Sequence, residues 1–269
     1  MYKYRPKGGL HNLENQERRN DVIIGRNPVL EALRGEREID TVFVAKGDRT
    51  GVIKKIAAMA AEKGIPVKDV SPQKLEFMAA GENHQGVCAV AAVRKYVSVD
   101  DIFTIAEERG EPPFIIIADE IADPHNLGAI IRTAEAVGAH GVIVPKRRAA
   151  GLTASVGRAS AGAVEYVAVA RVSNLAQTID ILKDKGVWVY AADMDGGNWC
   201  QTDMTGAVAL VVGGEDGGVG RLIKEKCDFV LSLPMNGQIN SLNASVAGAV
   251  FMYEIARQRA GIEAINKKK

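Results

Sequence analysis

Cysteine is scarce in this 269-residue chain: Cys88, Cys200 and Cys227 stand far apart and form no CxxC pair. An odd, scattered set argues against a disulfide framework or a zinc site and fits a reducing cytosol. No run of about 18 apolar residues occurs, which speaks against a membrane-spanning helix. Residues 1–20 lack the apolar centre of a signal peptide, so a cytoplasmic location is expected. The four histidines, His11, His84, His125 and His140, form no HExxH and no i,i+4 pair. No GxSxG elbow, GxGxxG fingerprint or P-loop is present, so hydrolase-triad, dinucleotide and Walker chemistry have little support. No metal is expected. An excess of either charge is also missing: 34 Lys+Arg oppose 33 Asp+Glu, for a formal net charge of +1.

What the chain does have is an ordinary globular balance, 47% hydrophobic and 25% charged, and charge gathered in places. Residues 1–20 carry a net +3, residues 257–269 a net +4, and residues 136–164 another +4, leaving −10 for the rest. The internal stretch holds Lys146, Arg147, Arg148 and Arg158 and no acid. Each basic segment alone reads equally well as a solvated tail or loop.

The pattern predicts two units. Residues 1–20 read as a flexible basic tail and 21–93 as a small α/β domain. In that domain Asn27-Pro28 starts a helix with Asn27 as cap, Thr41–Ala45 forms a strand, and a helix runs from Val52 to Gly64. Ser71-Pro72 starts a further helix, and Val87–Val93 forms a strand. Residues 94–113, with Gly110, Pro112 and Pro113, read as a linker with one short helix. From 114 to 260 strands and helices alternate, as in a parallel α/β sheet, and 261–269 is a second basic tail. The apolar run Phe114–Ala118 suits a strand buried on both faces.

Three polar, glycine-bearing segments follow predicted strands, where open α/β sheets bind ligands. The first runs Asp123-Pro124-His125-Asn126-Leu127-Gly128 and on to Arg132, with Asn126 read as a possible helix cap. The second is Gly213-Gly214-Glu215-Asp216-Gly217-Gly218. The third is Leu233-Pro234-Met235-Asn236-Gly237, continuing to Ser241-Leu242-Asn243-Ala244-Ser245. Singly, each also reads as a capped helix or an exposed loop.

Together, in this order, they resemble the three motifs of the SPOUT methyltransferases, in the branch of TrmH-like RNA ribose 2′-O-methyltransferases. The match is strong over 114–260. Residues 21–93, including Asn83-His84-Gln85-Gly86-Val87, more loosely resemble the substrate-binding domain of bacterial 23S rRNA guanosine 2′-O-methyltransferases, which is similar to a ribosomal RNA-binding protein. The resemblance implies a catalytic domain with a trefoil knot, a homodimer, and methyl transfer from S-adenosylmethionine to a ribose 2′-hydroxyl of 23S rRNA. Related enzymes acting on tRNA or another rRNA site are the alternative. It further implies catalytic roles for Asn126, Arg132, Glu215, Ser241 and Asn243. Cofactor contacts are implied through Gly213, Leu233 and Leu242. Arginine normally stays protonated, so Arg132 is better suited to hold phosphate and developing alkoxide charge than to remove a proton. Lys146, Arg147, Arg148 and Arg158 are expected to contact RNA phosphates beside the site.

Overall fold

The computed structural model describes residues 21–35, 37–47, 51–215, 217–239 and 241–263. The expected basic tail 1–20 and residues 264–269 of the second tail lie outside them. The chain divides into two compact units, one running up to Lys95 with Gly151–Ala154, the other comprising Tyr96–Ala150 and the residues from Ser155 onward.

The first unit carries β1 (Val22–Ile24), α1 (Arg26–Arg34), β2 (Ile39–Ala45), α2 (Gly51–Glu62), β3 (Val67–Val70), α3 (Pro72–Ala79) and β4 (Val87–Ala91). Its sheet has the order β1-β4-β2-β3, with only the β2–β3 pair parallel. Val29, Leu30 and Leu33 of α1 and Ile53, Ile56 and Ala60 of α2 meet Val42 and Val44 in one core. Ser71 caps α3 as its sequence promised, accepting from the Lys74 amide. Asn27 does not cap α1: the helix starts two residues earlier than expected, after Gly25 at φ 93°, and the Arg26 amide donates to Gln85 Oε1 from the turn before β4. A side chain 59 residues away replaces the local cap.

The second unit carries α4 (Val99–Arg109), β5 (Phe114–Asp119), α5 (Pro124–Ala136), β6 (Gly141–Pro145), α6 (Ala154–Ala159), β7 (Ala168–Val172), α7 (Leu175–Asp184), β8 (Trp188–Asn198), β9 (Val208–Gly213), α8 (Arg221–Lys226), β10 (Phe229–Ser232) and α9 (Ala244–Arg259). All six strands run parallel, in the order β10-β8-β9-β5-β6-β7. Every residue of β5 and of β9 is buried, as expected for central strands covered on both faces. Alternation along them divides the core. Ile115, Ile117, Ala209 and Val211 pack with Ile102 of α4, Leu175, Ile179 and Leu182 of α7 and Ile223 of α8. Val212, one position out of phase, meets α9 instead, where a Cβ on Gly248 would stand 3.1 Å from its methyl group.

The sequence reading of 94–113 as a linker needs correcting. It holds the expected short helix, closed by a Ser98–Asp101 capping box and by Gly110 at φ 64°, but α4 buries Ile102 and Ala106. Ile102 belongs to the main core cluster and Val97 bridges to Ala170, so residues 96–113 are structural framework of the second unit.

The chain lays β5, β6 and β7 outward in one direction and then crosses to β8 on the other side of β5. It later fills the gap with β9. The order therefore reverses at the β5–β9 pair, and the carboxyl ends of those strands flank the crevice where such sheets bind ligands.

Candidate active site

All three motif segments leave the carboxyl edge of this sheet, after β5, β9 and β10. The first enters α5. Its cap is Asp123, which accepts from the His125 amide, with Pro124 as first helical residue. Asn126 is not the cap its position suggested. It lies inside the first turn, 6% exposed, and its amide faces the site.

Asn126 Nδ2 donates to Glu215 Oε1 at 2.7 Å. Asn243 Nδ2 donates both to Glu215 Oε1 at 2.8 Å and to Asn126 Oδ1 at 3.0 Å. Three residues from three motifs, 89 and 117 positions apart from Asn126, thus form one closed polar ring. Asn243 is also the cap of α9: its Oδ1 accepts from the amides of Ser245 and Val246 and from the Ser245 hydroxyl. Because that oxygen faces backbone donors, the amide nitrogen must face Glu215. The cap thereby fixes the ring's orientation.

The glycine segment after β9 is folded tightly. A Cβ on Gly213 would collide with the backbone of Gly218, and one on Gly214 would lie 2.6 Å from the Glu120 carbonyl oxygen. Gly218, at φ 63°, donates its amide to the Gly214 carbonyl at 2.9 Å. Only glycine permits this double approach with the left-handed turn.

Two of the expected catalytic residues are not joined to the ring. Arg132 is exposed and its side chain makes no hydrogen bond to a described residue. Six residues of helix carry it about 240° round from Asn126. Ser241 sits in the exposed approach to α9, also without a hydrogen bond to a described residue. Of the expected cofactor contacts, Gly213 ends β9, Leu233 follows β10 half-buried, and Leu242 is exposed one residue before the α9 cap. Lys146, Arg147 and Arg148 leave the carboxyl end of β6, next to β5, and Arg148 pairs with Glu120 at 2.9 Å. Arg158 is exposed on α6 and reaches Ser155 Oγ at 3.3 Å. No cluster of potential metal ligands occurs among the described residues.

Sequence reasoning passed over Asp119, the last residue of β5. It is 5% exposed, and its carboxylate accepts from the Gly220 amide at 2.8 Å. Its only signal was an acid placed directly after the apolar run 114–118.

Residues 113–253 match the profile of the SpoU rRNA Methylase family, and residues 22–97 match that of RNA 2'-O ribose methyltransferase substrate binding. YacO of Bacillus subtilis (strain 168), assigned to the TrmH family of tRNA/rRNA methyltransferases, is 46% identical over 241 residues. That alignment covers 89% of this chain and 96% of YacO. Among solved structures, the fold is similar to the SpoU methyltransferase AviRb from Streptomyces viridochromogenes in complex with AdoMet. The TM-score is 0.57 at 23% identity, over 89% of this chain and 90% of that one. The A. aeolicus TrmH/SpoU tRNA modifying enzyme is 31% identical with a TM-score of 0.52, over 56% of this chain and 77% of its own. The chain belongs to the SpoU/TrmH family of RNA methyltransferases.

Proposed function

We propose that the chain transfers a methyl group from S-adenosylmethionine to a ribose 2′-hydroxyl of RNA, with a guanosine of 23S rRNA as the target. The observation that carries this reading is the Asn126–Glu215–Asn243 ring, closed at the carboxyl edge beside the strand-order reversal. A ribosomal target is supported by the SpoU rRNA Methylase match and by the match of the first unit to a substrate-binding profile.

The residues suit the cofactor. Met235, Ile239 and Leu242 are exposed apolar side chains in the third motif and offer walls for an adenine ring. Asp195, exposed in the last part of β8 between β9 and β10, supplies negative charge for a cationic ligand. When bound, the cofactor supplies an electrophilic methyl group on a sulfonium sulfur. The ring residues orient the ribose, with Glu215, exposed, receiving the 2′-hydroxyl. Ser241 flanks the same ribose, and Arg132 neutralises phosphate and developing alkoxide charge. Backbone at Gly213, Leu233 and Leu242 lines the cofactor pocket. Lys146, Arg147, Arg148 and Arg158 hold RNA phosphates.

The enzyme works as a homodimer. Support comes from α9, whose Gly248, Met252 and Ile255 are turned into the core while Val246 and Tyr253 stand 49% and 57% exposed on the opposite side. Large apolar side chains on the outer side of a helix that is already packed on its inner side are normally covered.

The test is to map 2′-O-methylated nucleotides in RNA from cells with and without the protein. Loss of one 23S rRNA guanosine methyl is expected. Loss of a tRNA methyl instead would move the target while keeping the reaction, and no lost 2′-O-methyl anywhere would overturn the reading. Purified Arg132→Ala protein is expected to bind S-adenosylmethionine yet transfer no methyl group.

A further inference from the structure

Two carboxylates that belong to none of the three motifs grip the glycine loop from opposite sides. From β5, Asp119 lies in register beside Gly213 and accepts the Gly220 amide, the residue that caps α8. From β8, Asp193, with its side chain 8% exposed, forms an ion pair with Lys224 of α8 at 2.7 Å. The same Asp193 carboxylate stands 3.4 Å from where a Cβ on Gly218 would be. The loop 213–220 and the short helix after it are therefore tied at Gly220 to one strand and at Lys224 to another, on either side of β9.

We propose that Asp119 and Asp193 are positioning residues that hold the 213–220 loop in its cofactor-binding shape. This rests on the assignment of S-adenosylmethionine to that loop. The physical case is preorganisation. A loop rich in glycine loses much conformational freedom when ordered, and any ordering left to the ligand is subtracted from its affinity. Two glycines of the loop have no room for a side chain, so the loop cannot stiffen itself by side-chain packing there. The anchors must come from outside, and a charged acceptor makes the stronger kind of hydrogen bond. Leaving the Asp119 carboxylate in so closed a place is costly: burial foremost, and the nearby Glu120 charge, raise its pKa, while the Gly220 hydrogen bond opposes them. A buried acid retained at that cost beside the loop suits a positioning task better than a packing one.

The experiment measures S-adenosylmethionine affinity by calorimetry, and backbone amide exchange in the loop, for the full-length wild type, Asp119→Asn, Asp119→Ala and Lys224→Met. Asp119→Asn keeps an uncharged acceptor for Gly220, and Lys224→Met frees Asp193 from outside the loop. Expected are folded proteins with faster exchange at 217–220. Affinity falls by about tenfold in Asp119→Ala and less in Asp119→Asn, as the loss of a hydrogen bond to a charged group implies. At saturating cofactor, turnover stays near wild type, so the effect falls on KM; Arg132→Ala shows the reverse. Unchanged affinity in folded Asp119→Asn and Lys224→Met, against a wild type that binds, overturns the clamp alone. A wild type that binds no S-adenosylmethionine overturns the clamp and the functional assignment together.

Discussion

Asn243 performs two tasks with the two ends of one amide. Its oxygen caps α9, and its nitrogen holds Glu215 and Asn126. Substitution separates them. Asn243→Ser keeps a capping oxygen and removes the amide donor, so its melting temperature is expected near wild type while methyl transfer falls at least about tenfold. Asn243→Ala removes both and also loses about 1 kcal/mol of stability. Equal activity in Asn243→Ser and wild type would show that the ring is not part of the site. His140 illustrates a different residue-scale effect. Its Nδ1 accepts from the buried Phe114 amide at 2.9 Å, so the proton sits on Nε2, which faces Glu111 at 3.1 Å. Protonating Nδ1 would set two donors face to face. Burial first, and then the Arg109 charge, push the pKa below 6.5, with Glu111 opposing. A depressed pKa means the folded state binds fewer protons than the unfolded one. The stabilisation is therefore present above about pH 6.5 and lost as pH falls below it. Melting temperature measured from pH 7.5 to 5 is expected to decline in wild type and to decline less steeply in His140→Gln.

At the scale of elements, α5 carries Asn126 and Arg132, and its depth is set by Gly128. A Cβ there would overlap the Ala159 side chain and come within 2.9 Å of the Ala159 carbonyl carbon. Gly128→Val is expected to push α5 off α6, cost about 1–3 kcal/mol as overpacking does, and weaken methyl transfer more than cofactor binding. Calorimetric unfolding with a cofactor titration would check both. The same element marks where sequence reading ends. β5 was legible because a strand covered on both faces must be apolar throughout, and Phe114–Ala118 is. The ends of α5 were harder: Asp123, Asn126 and the Pro124 between them are all compatible with a helix start, and only the fold shows that Asn126 faces Glu215. Likewise the short helix α4 was legible, but nothing local shows that Ile102 joins the core of the parallel sheet, so charge and prolines around it read as a linker. The candidate site was legible as three motifs through their resemblance to a family. Its internal bonding, and the acid Asp119, depended on a strand order that brings β9 against β5.

For the whole molecule, net charge is a poor guide and charge location a good one. The +1 total conceals the basic stretch whose Lys146, Arg147 and Arg148 leave the carboxyl end of β6. Neutralising these three is expected to flatten the slope of log affinity against log salt by roughly 0.7 for each single-stranded phosphate contact removed. An unchanged slope would assign phosphate binding elsewhere. The proposed homodimer makes a sharper demand. In one chain the Arg132 side chain is turned away from Asn126 and has no described hydrogen-bond partner, while Val246 and Tyr253 on the outer side of α9 are uncovered. In the homodimer we propose, a second copy would cover Val246 and Tyr253, and its Arg132 would complete the ring of the first. Tyr253→Asp is then expected to yield monomers by sedimentation that bind cofactor but transfer no methyl group. Arg132→Ala and Glu215→Ala proteins, each inactive alone, should regain activity when refolded together. A mixed dimer has one site in which an intact ring meets an intact arginine. Activity of about a quarter of wild type follows, since random pairing makes half the dimers mixed and each holds one working site of two. If the arginine instead served its own chain, every site in every mixed dimer would carry one defect, and co-refolding would restore nothing.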